Sequence, residues 1–253
     1  MGTTDLSSFA VATVAVVILG LSKGGFAGVG MVSTPLLAVV VGPVRAAGLI
    51  FPILLVQDAV TIWIYRRRWS RPIVAAMAPG AALGVWAGYA LAAHVSEAAV
   101  ALSLGLISLA FALRQLRGRA GAETPPAAHP HRLLGAFAGA AAGLTSMIAH
   151  AGTPPFQLYV MPQRLDRDLY VGTSVAFFAT LNLMKLPAFV ALGQMTPATL
   201  ANAALLVPVA ILSSWQGARL VRRVDPARFA RAITLVLIAV SVGLIAQGIA
   251  RWP

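Results

Sequence analysis

Eight apolar segments occupy nearly the whole chain, and their lengths constrain the fold more than any other feature. They lie at about residues 7–42, 45–65, 72–94, 97–116, 132–161, 167–192, 197–221 and 226–250. A helix needs about 20 apolar residues to cross the hydrocarbon core of a bilayer. Since 59% of the residues are hydrophobic and only 10% are charged, the sequence predicts an all-α polytopic membrane protein.

Two of these segments are too long for one crossing. Segment 7–42 would form a helix of about 54 Å, against a hydrocarbon core of about 30 Å. It contains SKGGFAGVG at 22–30, and segment 132–161 contains GLTSMIAHAGTPP at 143–155. Because glycine and proline interrupt helices, we predict that each long segment is a broken helical hairpin, re-entrant or barely spanning, which enters and leaves on the same side.

The two halves of the chain repeat one pattern. Three blocks align in the same order: 20–35 with 139–154, 48–58 with 172–182, and 79–88 with 208–217. The alternative is a chance match of small residues, and the paired tryptophans, Trp86 and Trp215, argue against it. The pattern predicts two repeats of about four helical units each, residues 1–116 and 132–253, joined by a polar linker at 117–131. We expect each tryptophan to pack between helices against the glycine two residues later.

The arginines predict how the repeats are oriented. In the first repeat the connection 66–71 carries four arginines, whereas in the second repeat the arginines lie one connection later, at 219–231. Connections rich in Lys and Arg stay in the cytoplasm. The shift therefore predicts inverted repeats, as in many secondary transporters, with 66–71, 117–131 and 219–231 all cytoplasmic.

The remaining composition excludes several classes of function. The net charge of +12 follows from this topology and does not indicate nucleic acid binding. Cysteine is absent, which excludes disulfides, thiolate metal sites and thiol chemistry. His129 and His131 have no further partners of metal-ligand type, so we expect neither metal nor cofactor. The first residues, MGTTDLSSFA, lack the basic region of a cleaved signal peptide.

The only two lysines, Lys23 and Lys185, both lie inside apolar segments. An ammonium group in hydrocarbon costs roughly 2.5 kcal/mol or more, so such a residue needs compensation or a use. Lys23 adjoins the first break, where it either faces an anion or snorkels to the interface, and the glycines beside it favour the anion. Lys185 precedes Pro187, where a functional role and a structural pairing with freed carbonyls both remain open.

Asp58 is the only acidic residue that lies away from the ends of an apolar segment. It either forms a structural ion pair with Lys23 or Lys185, or it is a protonatable residue that couples transport to protons. An ion pair that breaks on protonation would fill both roles. Its repeat equivalent, Asn182, keeps the shape without the charge.

His150 lies at the second break, and an imidazole titrates near neutral pH. It is either a neutral side chain hydrogen-bonded at the break or a proton relay. Broken helices expose backbone N–H groups, and a helix N-terminus that faces a cavity suits an anion. We expect the two breaks to meet near the bilayer midplane, where inverted-repeat transporters bind substrate.

Two stretches of the sequence resemble the signatures of a known protein family. GLSKGGFAGVGMVSTPLLA (20–38) resembles the first signature of the TauE/SafE family, bacterial sulfite and organosulfonate exporters also called the toluene-sulfonate uptake permease family, and residues 143–189 resemble its second repeat. The resemblance covers nearly the whole chain apart from the linker. It implies passage of small sulfur-containing anions, such as sulfite or sulfoacetate, across the bacterial inner membrane. The residues that match the two signatures are Ser22, Lys23, Gly24, Gly25, Thr34, Pro35, His150, Gly152, Pro154, Asn182 and Lys185. Thr153 stands where the family leads us to expect a second glycine.

Together these patterns predict a proton-coupled secondary transporter of a small anion, embedded in the bacterial inner membrane, and not an enzyme. The predicted substrate-binding residues are Ser22, Lys23, Gly24, Gly25, Thr34, Thr145, Ser146, His150, Thr153, Asn182 and Lys185. The predicted proton-coupling residues are Asp58 and His150. A passive anion channel with the same lining is the first alternative, and a membrane enzyme or biogenesis factor is the second.

Overall fold

A computed structural model describes residues 6–24, 29–92, 94–117, 131–220 and 226–252. Within these ranges the chain is helical and has no strand. The helices are α1 (Leu6–Lys23), α2 (Ser33–Val41), α3 (Pro43–Tyr65), α4 (Arg71–Ala92), α5 (Glu97–Arg117), α6 (Arg132–Ala149), α7 (Thr153–Val160), α8 (Arg167–Ala191), α9 (Pro197–Leu220) and α10 (Pro226–Ala250). Seven of the described helices, α3 to α6 and α8 to α10, are long and apolar enough to cross a membrane. The prediction of an all-α polytopic membrane protein is confirmed.

Both over-long segments are interrupted where glycine and proline predicted it. In the first, α1 ends at Lys23, and the described chain resumes with a 3₁₀ turn at Val29–Val32 that leads into α2. In the second, α6 ends at Ala149 and α7 begins at Thr153. The six segments of single-helix length form α3, α4, α5, α8, α9 and α10. Gly25 and most of the predicted linker lie outside the described residues.

The backbone of His150 ends α6. Its φ of 52° is left-handed, and its N–H donates to the Ser146 carbonyl at 3.1 Å, while the N–H of Ala151 donates to the Thr145 carbonyl at 3.2 Å. These bonds satisfy carbonyls that have no partner within the helix. Prolines then occupy the first turn of α7, where a missing N–H costs nothing. The sequence HAGTPP therefore stops one helix and starts the next.

Helices that occupy the same place in the two halves pack against each other in opposite directions. Along α3 and α8, Phe51 stacks on Phe189 and Asp58 accepts a hydrogen bond from Asn182, so positions rise along one helix as they fall along the other. The pair α5 and α10 does the same: Gly105 lies against Ile245, and Leu102 lies against Gly248. Both pairs are therefore antiparallel.

The first helix of each half packs instead on the opposite half. Directly after α1, Gly24 lies against the backbone of Gly217 in α9, and on α4, Gly80 lies against the backbone of Ala136 in α6. A Cβ atom added to Gly80 would overlap the Ala136 carbonyl oxygen. Glycine at such positions lets helix backbones approach closely, which is how helices associate where water supplies no driving force.

These helix directions bring most of the described arginines to one end of the bundle, which we call the arginine end. Helix α3 ends there, and α4 and α8 begin there. The exposed side chains of Arg68 and Asp168 lie 3.7 Å apart at this end, and Arg66 and Arg219 line one surface groove. The described arginines at this end are Arg66, Arg67, Arg68, Arg71, Arg114, Arg117, Arg132, Arg164, Arg167, Arg219 and Arg231. The cytoplasmic location of this end stays a prediction.

The expected packing of the tryptophans against the glycines two residues later is wrong. Trp86 is 70% exposed and Trp215 is 43% exposed, and the glycines face elsewhere, Gly88 towards Met147 of α6 and Gly217 towards Leu21 of α1. Residues two apart on a helix are turned by about 200° from each other, so they lie on opposite faces. The glycine face makes the helix contact, and the tryptophan faces outward.

Candidate functional site

The two breaks lie on one cavity. Its volume is about 90 Å³, which is room for a few water molecules or one small oxyanion. The first broken hairpin contributes Ser22, Lys23 and Thr34 to the wall, and the second contributes Ser146, His150 and Thr153. Helices α3 and α8 complete the wall with Ile50, Leu54, Tyr170, Val171, Ser174, Val175, Phe178 and Asn182. Residues that are more than a hundred positions apart in sequence therefore share one chamber.

Three of the predicted substrate-binding residues do not line this cavity, and a fourth is not among the described residues. Gly24 is buried against α9, and the Thr145 hydroxyl donates to the Ala141 carbonyl of its own helix at 2.7 Å. Lys185 lies behind the wall, and Gly25 is outside the described residues. The other seven line it: Ser22, Lys23, Thr34, Ser146, His150, Thr153 and Asn182.

Asp58 lies against Lys23. The Lys23 Nζ donates to Oδ1 of Asp58 in an ion pair, and Asn182 donates from Nδ2 to Oδ2 of the same carboxylate at 2.6 Å. Of the two partners left open by the sequence, the structure therefore shows Lys23. Both ionised side chains are mostly buried, and such a pair is stable only when further hydrogen bonds satisfy the remaining lone pairs. Asn182 supplies that bond.

Lys185 has a different environment. Its side chain is fully buried, and its Nζ donates to Ser146 Oγ at 3.2 Å and to Asn182 Oδ1 at 3.5 Å. It also lies 5.3 Å from the ring centroids of both Phe51 and Phe189. Ring faces attract a cation, and they do so more strongly where water is excluded. Among the described residues no carboxylate lies within ion-pair distance of this lysine.

His150 presents its ring at the cavity wall. The ring stands edge-on to Phe189 at 5.6 Å and to Phe51 at 6.2 Å between centroids. The expectation of a hydrogen-bonded side chain does not match the geometry, because neither Nδ1 nor Nε2 has a hydrogen-bond partner within the described residues. Buried polar atoms nearly always have a partner. An imidazole without one, at the wall of a cavity, can donate to a ligand or accept from it.

The electrostatics of the cavity favour an anion. When both lysines are protonated, Lys23 and Lys185 carry two positive charges against the single negative charge of Asp58, which leaves a surplus of one. The first turns of α2 and α7 reach the cavity through Thr34 and Thr153. A helix N-terminus carries partial positive charge. The lysine charges and the helix N-termini therefore both favour a bound anion.

A comparison with protein families matches residues 12–244 to the model described as Sulfite exporter TauE/SafE. The chain belongs to the TauE/SafE family. Comparison with curated proteins and with solved structures gave no match. Membership confirms the resemblance found from the two signatures, and it makes this protein a membrane transporter and not an enzyme.

Sequence reasoning missed part of this TauE/SafE site. Tyr170, Ser174 and Phe178 line the cavity on α8, and they precede Asn182 at intervals of four residues. Such a spacing places side chains on one face of a helix. The signal could therefore have been found by extending that face of α8 backwards from Asn182. Phe51 and Phe189 gave no such signal, because phenylalanine in an apolar segment is ordinary.

Proposed function

We propose that this TauE/SafE protein carries a small sulfur-containing anion, such as sulfite, sulfoacetate or a related organosulfonate, across the bacterial inner membrane in step with protons. The observation that carries the proposal is the surplus positive charge at a cavity where two helix breaks meet. Lys23 lines this cavity and Lys185 lies behind it, and only Asp58 opposes them. A monoanion in the cavity balances the charge, which lowers the cost of moving it through a low-dielectric medium.

The wall of the cavity suits the shape of a sulfite or sulfonate group. Its three oxygens can accept hydrogen bonds from hydroxyls that converge from both hairpins, among them Thr34, Ser146 and Thr153. The His150 ring adds a polar atom without another partner. Leu54, Val175 and Phe178 make the rest of the wall apolar, which favours an anion that has shed its water or carries a short organic part.

Two inverted repeats fit this function and are part of the proposal. The antiparallel pairs α3 with α8 and α5 with α10 support it, as does the exchange in which α1 packs on α9 and α6 packs on α4. Inverted repeats bind substrate at their interface and expose it to each side in turn. The cluster of arginines at one end supports a cytoplasmic location for that end.

The path through the site runs along α8. From Asn182 the lining extends through Ser174 to Tyr170, which is near the arginine end, where α8 begins. In the other direction the stacked rings of Phe51 and Phe189 lie 4.0 Å apart between centroids. Beyond them a second cavity of about 230 Å³ has Phe189 in its wall. We therefore assign the aromatic pair as the barrier on the side away from the arginines.

A binding screen of the purified protein tests the proposal. We expect sulfite and sulfoacetate to raise the midpoint of thermal unfolding, because a ligand that binds only the folded state stabilises it by mass action. Lys23→Arg should keep a shift above its own unliganded midpoint, and Lys23→Met should lose it. Arg45→Met, which removes an exposed cation from the opposite end, is the matched control and should respond as the unaltered protein does. A shift with acetate but with none of sulfite, thiosulfate, sulfoacetate or sulfate contradicts the proposal.

The driving force of the anion flux distinguishes a transporter from a passive channel with the same lining. The two cavities have no lining residue in common, which favours a transporter, since a channel needs a continuous path. In reconstituted vesicles we expect a pH gradient to drive accumulation of the anion. Rapid equilibration that ignores the pH gradient would identify a channel.

A further inference from the structure

Lys185 is buried in a way that the other lysine is not. Lys23 has a carboxylate on its Nζ, whereas Lys185 contacts two neutral oxygens, those of Ser146 and Asn182, and two ring faces. Its side chain has no exposed surface. An ammonium group without a counter-ion in such a place is costly, and loss of its proton is the usual way to avoid that cost.

Among the described residues, three charged or titratable groups lie near Lys185, each on a different neighbouring helix. Helix α1 brings Lys23, α3 brings Asp58, and the end of α6 brings His150. Both oxygens of Asp58 are occupied, Oδ1 by Lys23 and Oδ2 by the Asn182 amide. The amide of Asn182 therefore lies between the carboxylate and Lys185, and its Oδ1 faces the lysine. Asp58 holds Lys23 in place and does not pair directly with Lys185.

We propose that Lys185 is the group that gains a proton when the anion enters the cavity and loses it when the anion leaves. The inference rests on the proposed function and names the group that performs its coupling. With the cavity empty, the neutral amine leaves the Lys23–Asp58 pair as the only charges of the cluster, and their sum is zero. With a monoanion present, the ammonium form restores that balance. Each state of the cavity thus has one favoured protonation state of Lys185, and that is the condition for coupling.

The Ser146 hydroxyl supplies the route for the proton. Ser146 lines the cavity and its Oγ lies 3.2 Å from Nζ of Lys185. A hydroxyl can donate and accept at once, whereas the Asn182 carbonyl oxygen can only accept. When the anion binds, the hydroxyl proton passes to the amine nitrogen and Oγ takes a proton from solvent in the cavity. One N–H bond forms, the Ser146 O–H bond is broken and remade, and one O–H bond of a protonated water breaks, so the net proton comes from solvent and nothing is oxidised or reduced.

The decisive measurement counts protons on binding. Isothermal titration with methanesulfonate in buffers of different ionisation enthalpy gives the number of protons taken up per anion. This probe is the anion of a strong acid, so any proton taken up goes to the protein. Near neutral pH we expect about one proton per anion, the linkage of a single group. In Lys185→Arg, which keeps a permanent charge, the uptake should be lost.

The outcomes separate this inference from the proposed function. If methanesulfonate and sulfite both fail to bind the unaltered protein, the proposed function fails and the inference falls with it. If they bind and no proton is taken up, only the inference fails. If the uptake persists in Lys185→Arg and disappears in His150→Gln, the proton belongs to His150 and the inference is overturned.

The proton route through the Ser146 hydroxyl can be tested without a change at Lys185. In vesicles, Ser146→Ala should lose most of the anion flux driven by a pH gradient, and Ser146→Thr, which restores a hydroxyl, should recover it. Full flux in Ser146→Ala would overturn the assignment of this route.

Discussion

The two lysines lie in contrasting regions, although both belong to one site. Lys23, at the end of α1, is neutralised by Asp58 and lines the cavity, whereas Lys185, inside α8, is fully buried among neutral groups. The predicted repeat aligns them with Ala142 and Thr61, and the Thr61 hydroxyl donates to the Gln57 carbonyl at 2.7 Å. The comparison teaches that the repeat predicted from the sequence does not extend to the charges. The charge of Lys23 is therefore balanced within the protein by Asp58, whereas the charge of a protonated Lys185 can be balanced by a bound anion.

The largest expected effect comes from breaking the balanced region. Asp58→Ala leaves the Lys23 ammonium and the Asn182 amide without their partner, and we expect a loss of about 3–5 kcal/mol in the free energy of unfolding. Thermal or denaturant unfolding in detergent measures it. Removing both charges together, in Lys23→Met with Asp58→Leu, should recover most of that loss. If the double variant is as unstable as the single one, the pair is not the source of the effect.

The next effect concerns the contacts that hold the two halves together. Gly80 of α4 lies against the α6 backbone, whereas its repeat equivalent in α9 is Val209. Gly80→Val should therefore cost about 1–3 kcal/mol through overpacking. Val209→Ala should cost less than about 1 kcal/mol, because Val209 is only partly buried and the better helix propensity of alanine offsets part of the lost packing. Equal losses at the two positions would show that the close approach at Gly80 is not specific to α4 and α6.

A third prediction removes the electrical difference between the halves. Asn182→Asp places a second carboxylate between Asp58 and Lys185. The two carboxylates repel each other and a protonated Lys185 offsets that repulsion, so the surplus charge at the cavity falls from one to zero. We expect the affinity for sulfite to fall by about tenfold, which is about 1.4 kcal/mol, because Lys185 then has a permanent counter-ion. Titration calorimetry measures both the affinity and the proton uptake, which should also be lost. An unchanged affinity would show that the anion does not depend on the charge surplus.

The smallest expected effect lies at the second break. Thr153→Gly replaces a cavity-lining side chain with the residue expected for the family and enlarges the cavity beside His150. The preference should shift from sulfite towards a larger organosulfonate such as sulfoacetate by about tenfold, the lower end of the range for a change of one methylene. Competition binding of the two anions measures the ratio. A shift towards sulfite would contradict the placement of Thr153 against the organic part of the ligand.

Much of the fold could be predicted because the constraints are local in the sequence. Segment length, the glycine-rich run after Lys23 and the prolines after His150 act within a turn or two of helix. The cavity was only partly predictable for the opposite reason. Whether Thr145 faces the cavity or its own helix, and whether Asp58 pairs with Lys23 or Lys185, depends on how helices from the two halves rotate against each other. Periodicity alone does not fix that rotation, and for this reason Lys185 was placed among ligand-binding residues although it lies behind Ser146.

The contact between Asp58 and Asn182 has a further consequence. The predicted repeat places these residues at equivalent positions in the two halves, and they touch each other. In an assembly of two identical chains, a contact between equivalent positions pairs a residue with itself, so the choice would be two carboxylates or two amides. Two carboxylates would repel, and two amides would leave Lys23 without a partner. A single chain that contains both halves avoids that choice: it can place an acid opposite its own amide, and one negative charge then serves both sides of the interface.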